Sequence, residues 1–440
     1  MPESHVVCII GGGAAGMTVA SKLRKARPDL DIALIEPSDT HSYQPAWTLV
    51  GGGAYDVNDT QKPMANFIPE KVRWIQQAAT DIDPESRQIT LADGTRIEYG
   101  WLVVATGIQI NWDAIEGLKE SLGNHGVTSN YRVDTAPYTW RCIQDFKGGR
   151  ALFTQPQMPI KCAGAPQKAM YLAADSFRRR GIQADIRFYP PGPAMFGIPF
   201  YSQALDRIVA DYGITPMFKH ELIAVDGPGG KARFRVSDDK GTHEVEEAFD
   251  MIHVVPPQSA PDFLRATPLV DSAGWVDVDR HSLRHTRYER VFALGDCSNT
   301  PNSKTAAAVR GQVPIATENL LAAMEDRALE AHYDGYASCP ITTSRGKVML
   351  AEFGYDGAIM PSFPLDPRKP RRMNWWIKHR YLPWLYWRML SGDLGPDWHR
   401  ERAQPEALPG GIRPCPRNNG PPQIKIDHPG TQPDNCRQMQ

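Results

Sequence analysis

The stretch "HVVCIIGGGAAGMTVASKLRK", beginning at His5, limits the fold more tightly than any other part of the chain. A buried strand runs into a glycine turn and then into a helix. Gly11, Gly13 and Gly16 fill the G-x-G-x-x-G positions. Lacking side chains, they permit a tight turn, approach of a pyrophosphate to backbone N–H groups and close packing of helix on strand. The spacing alone recurs by chance, but its context does not. A second strand, "DIALIEP", ends in Glu36, twenty residues beyond Gly16. A carboxylate there is placed for the ribose hydroxyls of an adenosine. The reading is a dinucleotide-binding unit rather than a plain βαβ unit with a glycine turn.

Two later segments specify the dinucleotide. "RQITLADGTRIEYGWLVVATG" predicts two alternating strands around an Asp93-Gly94 turn, then a third strand ending at Thr106-Gly107. "YERVFALGDCSN" closes a strand on Gly295-Asp296. This pair of motifs resembles the two-dinucleotide-binding-fold flavoproteins. The resemblance implies FAD rather than NAD, with Asp296 on the ribityl chain. The expected fold is α/β with two Rossmann-like domains. The FAD domain is split between residues 1–112 and 288–330, around a second domain at 113–287. A C-terminal quinone- and membrane-docking region follows at 331–405, and "PEALPGGIRPCPRNNGPP" opens a disordered tail over 406–440.

NADH-using proteins of this architecture carry a second glycine loop after the first strand of the inserted domain. Here that place reads "TQPQMPIKCAG". Prolines that cannot wrap a phosphate stand in the loop, and Cys162 sits where the nucleotide would lie, so NADH binding is not expected. Lys161 beside Cys162, and the positive end of a helix starting near Pro166, both favour a thiolate. Cys339 lies in "YDGYASCPITTSRGKVMLAEFGYDG", 177 residues further on. A buried inert thiol is the commonest fate of a lone cysteine. Cys8 in the first strand and Cys142 on a helix read that way, and Cys415 and Cys436 belong to the tail. The seven scattered cysteines form neither a disulfide framework nor a Cys-x-x-Cys metal site.

Composition narrows the partners. A formal net charge of −1 offers no basic stripe for nucleic acid, and no run of apolar residues is long enough to span a bilayer. With a strand expected from near Val6, no targeting segment is expected ahead of it. "RRMNWWIKHRYLPWLYWRML", residues 371–390, holds Trp375, Trp376, Trp384 and Trp387 among five arginines and lysines. Pro383 is expected to divide it into two short pieces. Tryptophan mixed with basic residues suits the headgroup region of a membrane; the competing readings are an aromatic cluster packed on the core and a homodimer contact.

"SYQPAWTLVGGG", "MPIKCAGAPQKAMYL", "SKTAAAV" and "YDGYASCP", in this order, together resemble the sulfide:quinone oxidoreductases, type II branch. The resemblance spans about residues 5 to 395. It implies that Cys162 and Cys339 form a redox disulfide attacked by hydrogen sulfide, with the persulfide on Cys339 and Cys162 as the thiolate that adds to the flavin. It implies a quinone acceptor, ubiquinone or menaquinone, and a small sulfur acceptor such as sulfide, glutathione or sulfite. Lys304 falls near the pyrimidine end of the flavin. Phe353 and Tyr355 are expectations for the quinone pocket or else core, and His253 is a proton carrier or else a satisfied core histidine. "GNHGVTSNYRV" lacks the cysteine that several type I enzymes carry, so the FAD is expected to be non-covalent. The expected setting is the cytoplasmic face of a bacterial plasma membrane, as a peripheral protein. The rival is an NADH:quinone or NADH:disulfide reductase of the same fold.

Overall fold

The computed structural model describes residues 3–239 and 241–396, so the tail at 406–440, with Cys415 and Cys436, lies outside the described residues. The first strand, β1 (Glu3–Ile10), runs at the centre of a seven-stranded sheet. On one side it pairs in parallel with β2 (Ile32–Ile35), whose four residues are all buried. On the other it pairs in parallel with β3 (Arg96–Val104). Strands covered on both faces read as continuous apolar runs, as "VVCII" and "IALI" do. The helix α1 (Ala14–Ala26) follows the glycine turn directly.

The region before Thr106 departs from expectation. The predicted second and third strands are one, β3, because β1 pairs with it in a single unshifted register on both sides of Gly100, from Ile97 to Val104. Its first half also pairs antiparallel with Gln88–Leu91 across the Asp93-Gly94 turn. Far along the chain, Val291–Ala293 joins β3 in parallel. Gly295-Asp296 therefore arrives at the same sheet end as Gly11.

A second sheet of five parallel strands is centred on β4 (Gly149–Thr154). The helix α2 (Ala165–Arg179) packs over it through Met170, Tyr171, Ala173 and Phe177, all buried with Phe153 and Phe188. Between Thr154 and Ala165 lies the loop bearing Cys162. In open α/β sheets this carboxyl end of the strands is where ligands and chemistry gather. A three-stranded antiparallel sheet of His220–Asp226, Lys231–Asp238 and Gly241–Ala248 flanks this unit.

The helix α3 (Ala306–Met324) returns to α1, and then the chain forms a two-stranded antiparallel ribbon, β5 (Ala337–Ser344) and β6 (Lys347–Phe353). Side chains alternate across it. Ala337, Cys339, Ile341, Met349, Ala351 and Phe353 join the core of the second sheet, whereas Ser338, Pro340, Leu350 and Glu352 face the large cavity described below.

The tryptophan-rich segment is helical throughout 372–390: Arg372–Trp376, a π-helical turn at Ile377–Tyr381, then Leu382–Leu390. Pro383 does not divide it. Proline is tolerated in the first turn of Leu382–Leu390, and the π turn before it has already shifted the bonding pattern. Among the described residues no helix is long and apolar enough to cross a membrane.

Candidate active site

A cavity of about 580 Å³ runs from the glycine turn to the tryptophan-rich helices. At one end Gly11 has φ +101°, and a Cβ there would stand 2.4 Å from the Ala105 carbonyl oxygen. Only glycine lets the turn lie against β3 in this conformation. Around Gly13 the space is open, as approach of a pyrophosphate requires. A Cβ on Gly16 would reach 1.9 Å from the Gly11 carbonyl oxygen, so helix and turn pack backbone to backbone. Glu36 is held in place, accepting from the Gly12 N–H at 2.7 Å and the Ser38 N–H at 2.8 Å. Thr106 and Gly107 continue the wall. Asp296 also lines it, and among the described residues its carboxylate accepts no hydrogen bond. Burial pushes that carboxyl up, against the pull of Lys304 and Lys161. An unbonded acceptor facing a cavity suits the hydroxyls of a bound cofactor.

In the middle of the cavity stands the thiol pair. The Cys162 Sγ lies 3.2 Å from the Cys339 Sγ. Cys162 holds a left-handed backbone, φ +60°, fixed by two bonds: its N–H donates to the Lys304 carbonyl at 2.7 Å and its own carbonyl accepts from the Ala165 N–H at 2.8 Å. For a non-glycine residue that conformation costs on the order of 1 kcal/mol and points to a functional constraint. Gly164 makes room for the partner, since a Cβ there would come within 2.7 Å of the Cys339 Sγ. Cys162 opens on the cavity, while Cys339 is fully buried behind it.

The two sulfurs are electrostatically unequal. A hydrogen bond from Cys339 and the ammonium of Lys168, whose Nζ lies 2.9 Å from the Cys162 Sγ, hold Cys162 well below the usual thiol range in spite of burial. The hydrogen bond to Cys162, with burial, holds Cys339 well above it. The arrangement favours the thiolate on Cys162 over that on Cys339. Lys378, from the π turn, is also buried, and burial together with the charge of Lys168 pushes its ammonium down to about 7.

The expected source of the thiolate therefore needs correcting. Lys161 turns away from the sulfur: its Nζ donates to Gln44 Oε1 at 2.7 Å and sits over the Trp47 and Tyr131 rings, and burial lowers it to about 8. The counter-ion is Lys168, in the first turn of α2, six residues beyond the cysteine. Lys304 is buried in the cavity wall, its Nζ donating to the Ser298 carbonyl at 2.8 Å and lying 4.2 Å from the Trp275 ring centroid.

Phe353 and Tyr355 do not line this cavity. Phe353 packs on Phe196 and Tyr201 beside a second, wider cavity. Tyr355 donates to the Arg280 carbonyl at 2.6 Å and packs on Tyr333. The apolar end of the main cavity is instead walled by Pro340, Leu350, Phe363, Tyr381, Leu382 and Leu385. His253 is fully buried, accepts from the Asn130 N–H at 3.0 Å and is pushed down to about 3 by burial, so it stays neutral.

Comparison with known proteins agrees with this geometry. The family described as "Pyridine nucleotide-disulphide oxidoreductase" matches residues 5–137. The chain is 41% identical to the mitochondrial sulfide:quinone oxidoreductase of Mus musculus, over 88% of this chain and 86% of that protein. It is 42% identical to that of Dictyostelium discoideum over the same shares. The chain belongs to the sulfide:quinone oxidoreductase family. The crystal structure of the sulfide:quinone oxidoreductase from Aquifex aeolicus has the same fold, with a TM-score of 0.72 at 21% identity, covering 90% of this chain and 93% of that one. FAD is accordingly the cofactor, and the glycine turn, Glu36 and the unbonded Asp296 fit it. Gly11→Ala is expected to leave the purified protein largely free of flavin. A side chain forced to positive φ costs about 1–2 kcal/mol, and the clash adds to it, for roughly tenfold or more in affinity; flavin absorbance against protein absorbance after dialysis reports it.

Proposed function

We propose that this protein oxidises hydrogen sulfide to sulfane sulfur at the Cys162–Cys339 pair and passes the electrons, through FAD, to a membrane quinone. The observation that carries the reading is the pair itself: two sulfurs 3.2 Å apart, a lysine on one of them, inside the cofactor cavity. In the oxidised protein the pair is a disulfide. Hydrosulfide attacks the Cys339 sulfur and the disulfide bond breaks. A persulfide remains on Cys339 and a thiolate on Cys162, where Lys168 stabilises it as leaving group. Sulfide, glutathione or sulfite takes the outer sulfur and leaves Cys339 as a thiolate. Re-formation of the Cys162–Cys339 bond then releases two electrons. A bound FAD, held by the glycine turn, Glu36 and Asp296, would supply the two-electron carrier between this pair and the quinone. Lys304 stands beside Asp296 as the cation for the reduced cofactor's negative charge. The NADH alternative has no loop to use, because Cys162 and two prolines occupy its place.

The quinone end is the apolar end of the cavity, in place of Phe353 and Tyr355. The helices that wall it with Ile377, Tyr381, Leu382 and Leu385 turn a different face outward. Arg372, Trp376, Arg380, Trp384 and Arg388 are exposed at every fourth position, with Trp376 59% and Trp384 50% exposed. Alternating indole and guanidinium suits an anionic headgroup layer, such as the cytoplasmic leaflet of a bacterial plasma membrane. A quinone leaving the lipid would pass directly from the outer face of these helices to the inner one.

Purified protein mixed with sulfide, sulfite and a short-chain ubiquinone should reduce the quinone catalytically; no quinone reduction with any of the three sulfur acceptors would overturn the reading. Trp376→Ser with Trp384→Ser should weaken binding to anionic vesicles by roughly 30- to 150-fold, from about 1–1.5 kcal/mol per indole. Co-sedimentation measures this. Loss of a dimer without loss of vesicle binding would assign the surface to a second copy of the chain.

A further inference from the structure

The ribbon of β5 and β6 carries one unusual side chain on its cavity face. After Lys347 at its exposed start, "KVMLAEF" is an apolar strand except at Glu352, which is 2% exposed. Its register partner across the ribbon is Ser338, and the next pair along is Cys339 with Ala351. Alternation therefore puts Glu352 and Cys339 on opposite faces of the same two strands. One face holds the sulfur chemistry. The other presents a single carboxyl to the cavity on the same face as Leu350, where it is bonded to Ser362 beside Phe363.

We propose that Glu352 is the acid that protonates the quinone as it is reduced. The inference rests on the quinone-reductase reading above. Each quinone takes two electrons and two protons. A bound reduced flavin would supply both electrons and one proton, which leaves the second proton to a side chain at the apolar end of the cavity. Glu352 transfers its carboxyl proton to the nearer quinone oxygen, becomes a carboxylate, and regains a proton from solvent before the next turnover. Two observations equip it for this. Burial raises its carboxyl above the ordinary range, which favours the protonated form an acid needs. The carboxylate left behind has donors in place: the Tyr336 hydroxyl at 2.7 Å on Oε1, the Ser362 N–H at 2.9 Å on Oε2 and the Ser362 hydroxyl on Oε1, with the charge of Arg310 nearby. A buried acid whose conjugate base is held by fixed dipoles loses its proton without reorganising the site.

The test separates electron transfer from proton transfer. Protein reduced by sulfide without oxygen is mixed either with a short-chain quinone or with ferricyanide, which takes electrons but no proton. Glu352→Gln should slow flavin reoxidation by quinone about 10²-fold and leave both reoxidation by ferricyanide and prior reduction by sulfide at the wild-type rate. Glu352→Asp should recover part of the loss. In D₂O the wild-type quinone step should slow while the ferricyanide step does not. Quinone reoxidation of Glu352→Gln at the wild-type rate, or equal slowing with both acceptors, would overturn the proposal. If Glu352→Gln does not retain flavin, Tyr336→Phe decides instead: a selective loss of roughly 3- to 10-fold with quinone supports the role, and no selective loss overturns it. Wild-type protein that sulfide reduces but quinone cannot reoxidise would contradict the underlying function, a result distinct from any of these.

Discussion

Cys162→Ser and Cys339→Ser should each abolish reduction of the bound flavin by sulfide, by about 10³-fold or more, while flavin content and fold remain. The size follows from the kind of catalysis. The pair makes and breaks the covalent bonds of the reaction, and groups acting as one covalent unit lose nearly everything when either is removed. Serine is close in size and neither sulfur is in the cofactor's adenosine site, so the spectrum of the oxidised flavin should persist. Stopped-flow absorbance at the flavin band measures the loss. A variant of either residue that keeps more than about a tenth of the wild-type rate would remove that cysteine from the chemistry.

The second large effect concerns Lys168. Lys168→Met keeps the length and packing of a buried side chain but deletes the charge 2.9 Å from Cys162. A cation favours the thiolate, so without it the Cys162 pKa rises and the thiolate appears only at higher pH. Each unit of rise costs tenfold in thiolate at a fixed pH below the new value. Flavin reduction by sulfide at neutral pH should fall roughly 10- to 100-fold, with the acid limb of the pH profile displaced upward by one to two units. Titration of sulfide itself is common to both proteins and cancels in their ratio. A further sign is fixed by the same geometry: Lys168 depresses Lys378, which stands at about 7, so its removal should raise Lys378. A profile unchanged in position would mean that Lys168 does not set the thiolate.

The features most legible in the sequence are local ones. Gly11, Gly13, Gly16 and Glu36 describe a turn and a strand end whose chemistry is complete within about thirty residues. Cys162 was conspicuous because it stands where a nucleotide loop belongs, and the four tryptophans of 371–390 were conspicuous by composition. What escaped depends on direction. Adjacency makes Lys161 a candidate beside the helix end for favouring the thiolate, yet its ammonium is bonded to Gln44, and Lys168 reaches the sulfur from the first helical turn. Lys378 comes from the far end of the chain, and no local pattern announces it. Phe353 and Tyr355 take the core alternative, Phe353 through the parity of its strand and Tyr355 from the turn that follows it. In β6 the odd-numbered residues 349, 351 and 353 face the second core, and the even-numbered 350 and 352 face the cavity. A run as apolar as "VMLA" conceals which face is which. The strand's one carboxylate was the available signal.

The most direct test of the account is an anaerobic visible spectrum of the purified protein, titrated with sulfide and, separately, with NADH. The account predicts that sulfide bleaches the flavin band or raises a long-wavelength thiolate-to-flavin band, that a short-chain quinone restores the oxidised spectrum, and that NADH does neither. Bleaching by NADH and not by sulfide would contradict it.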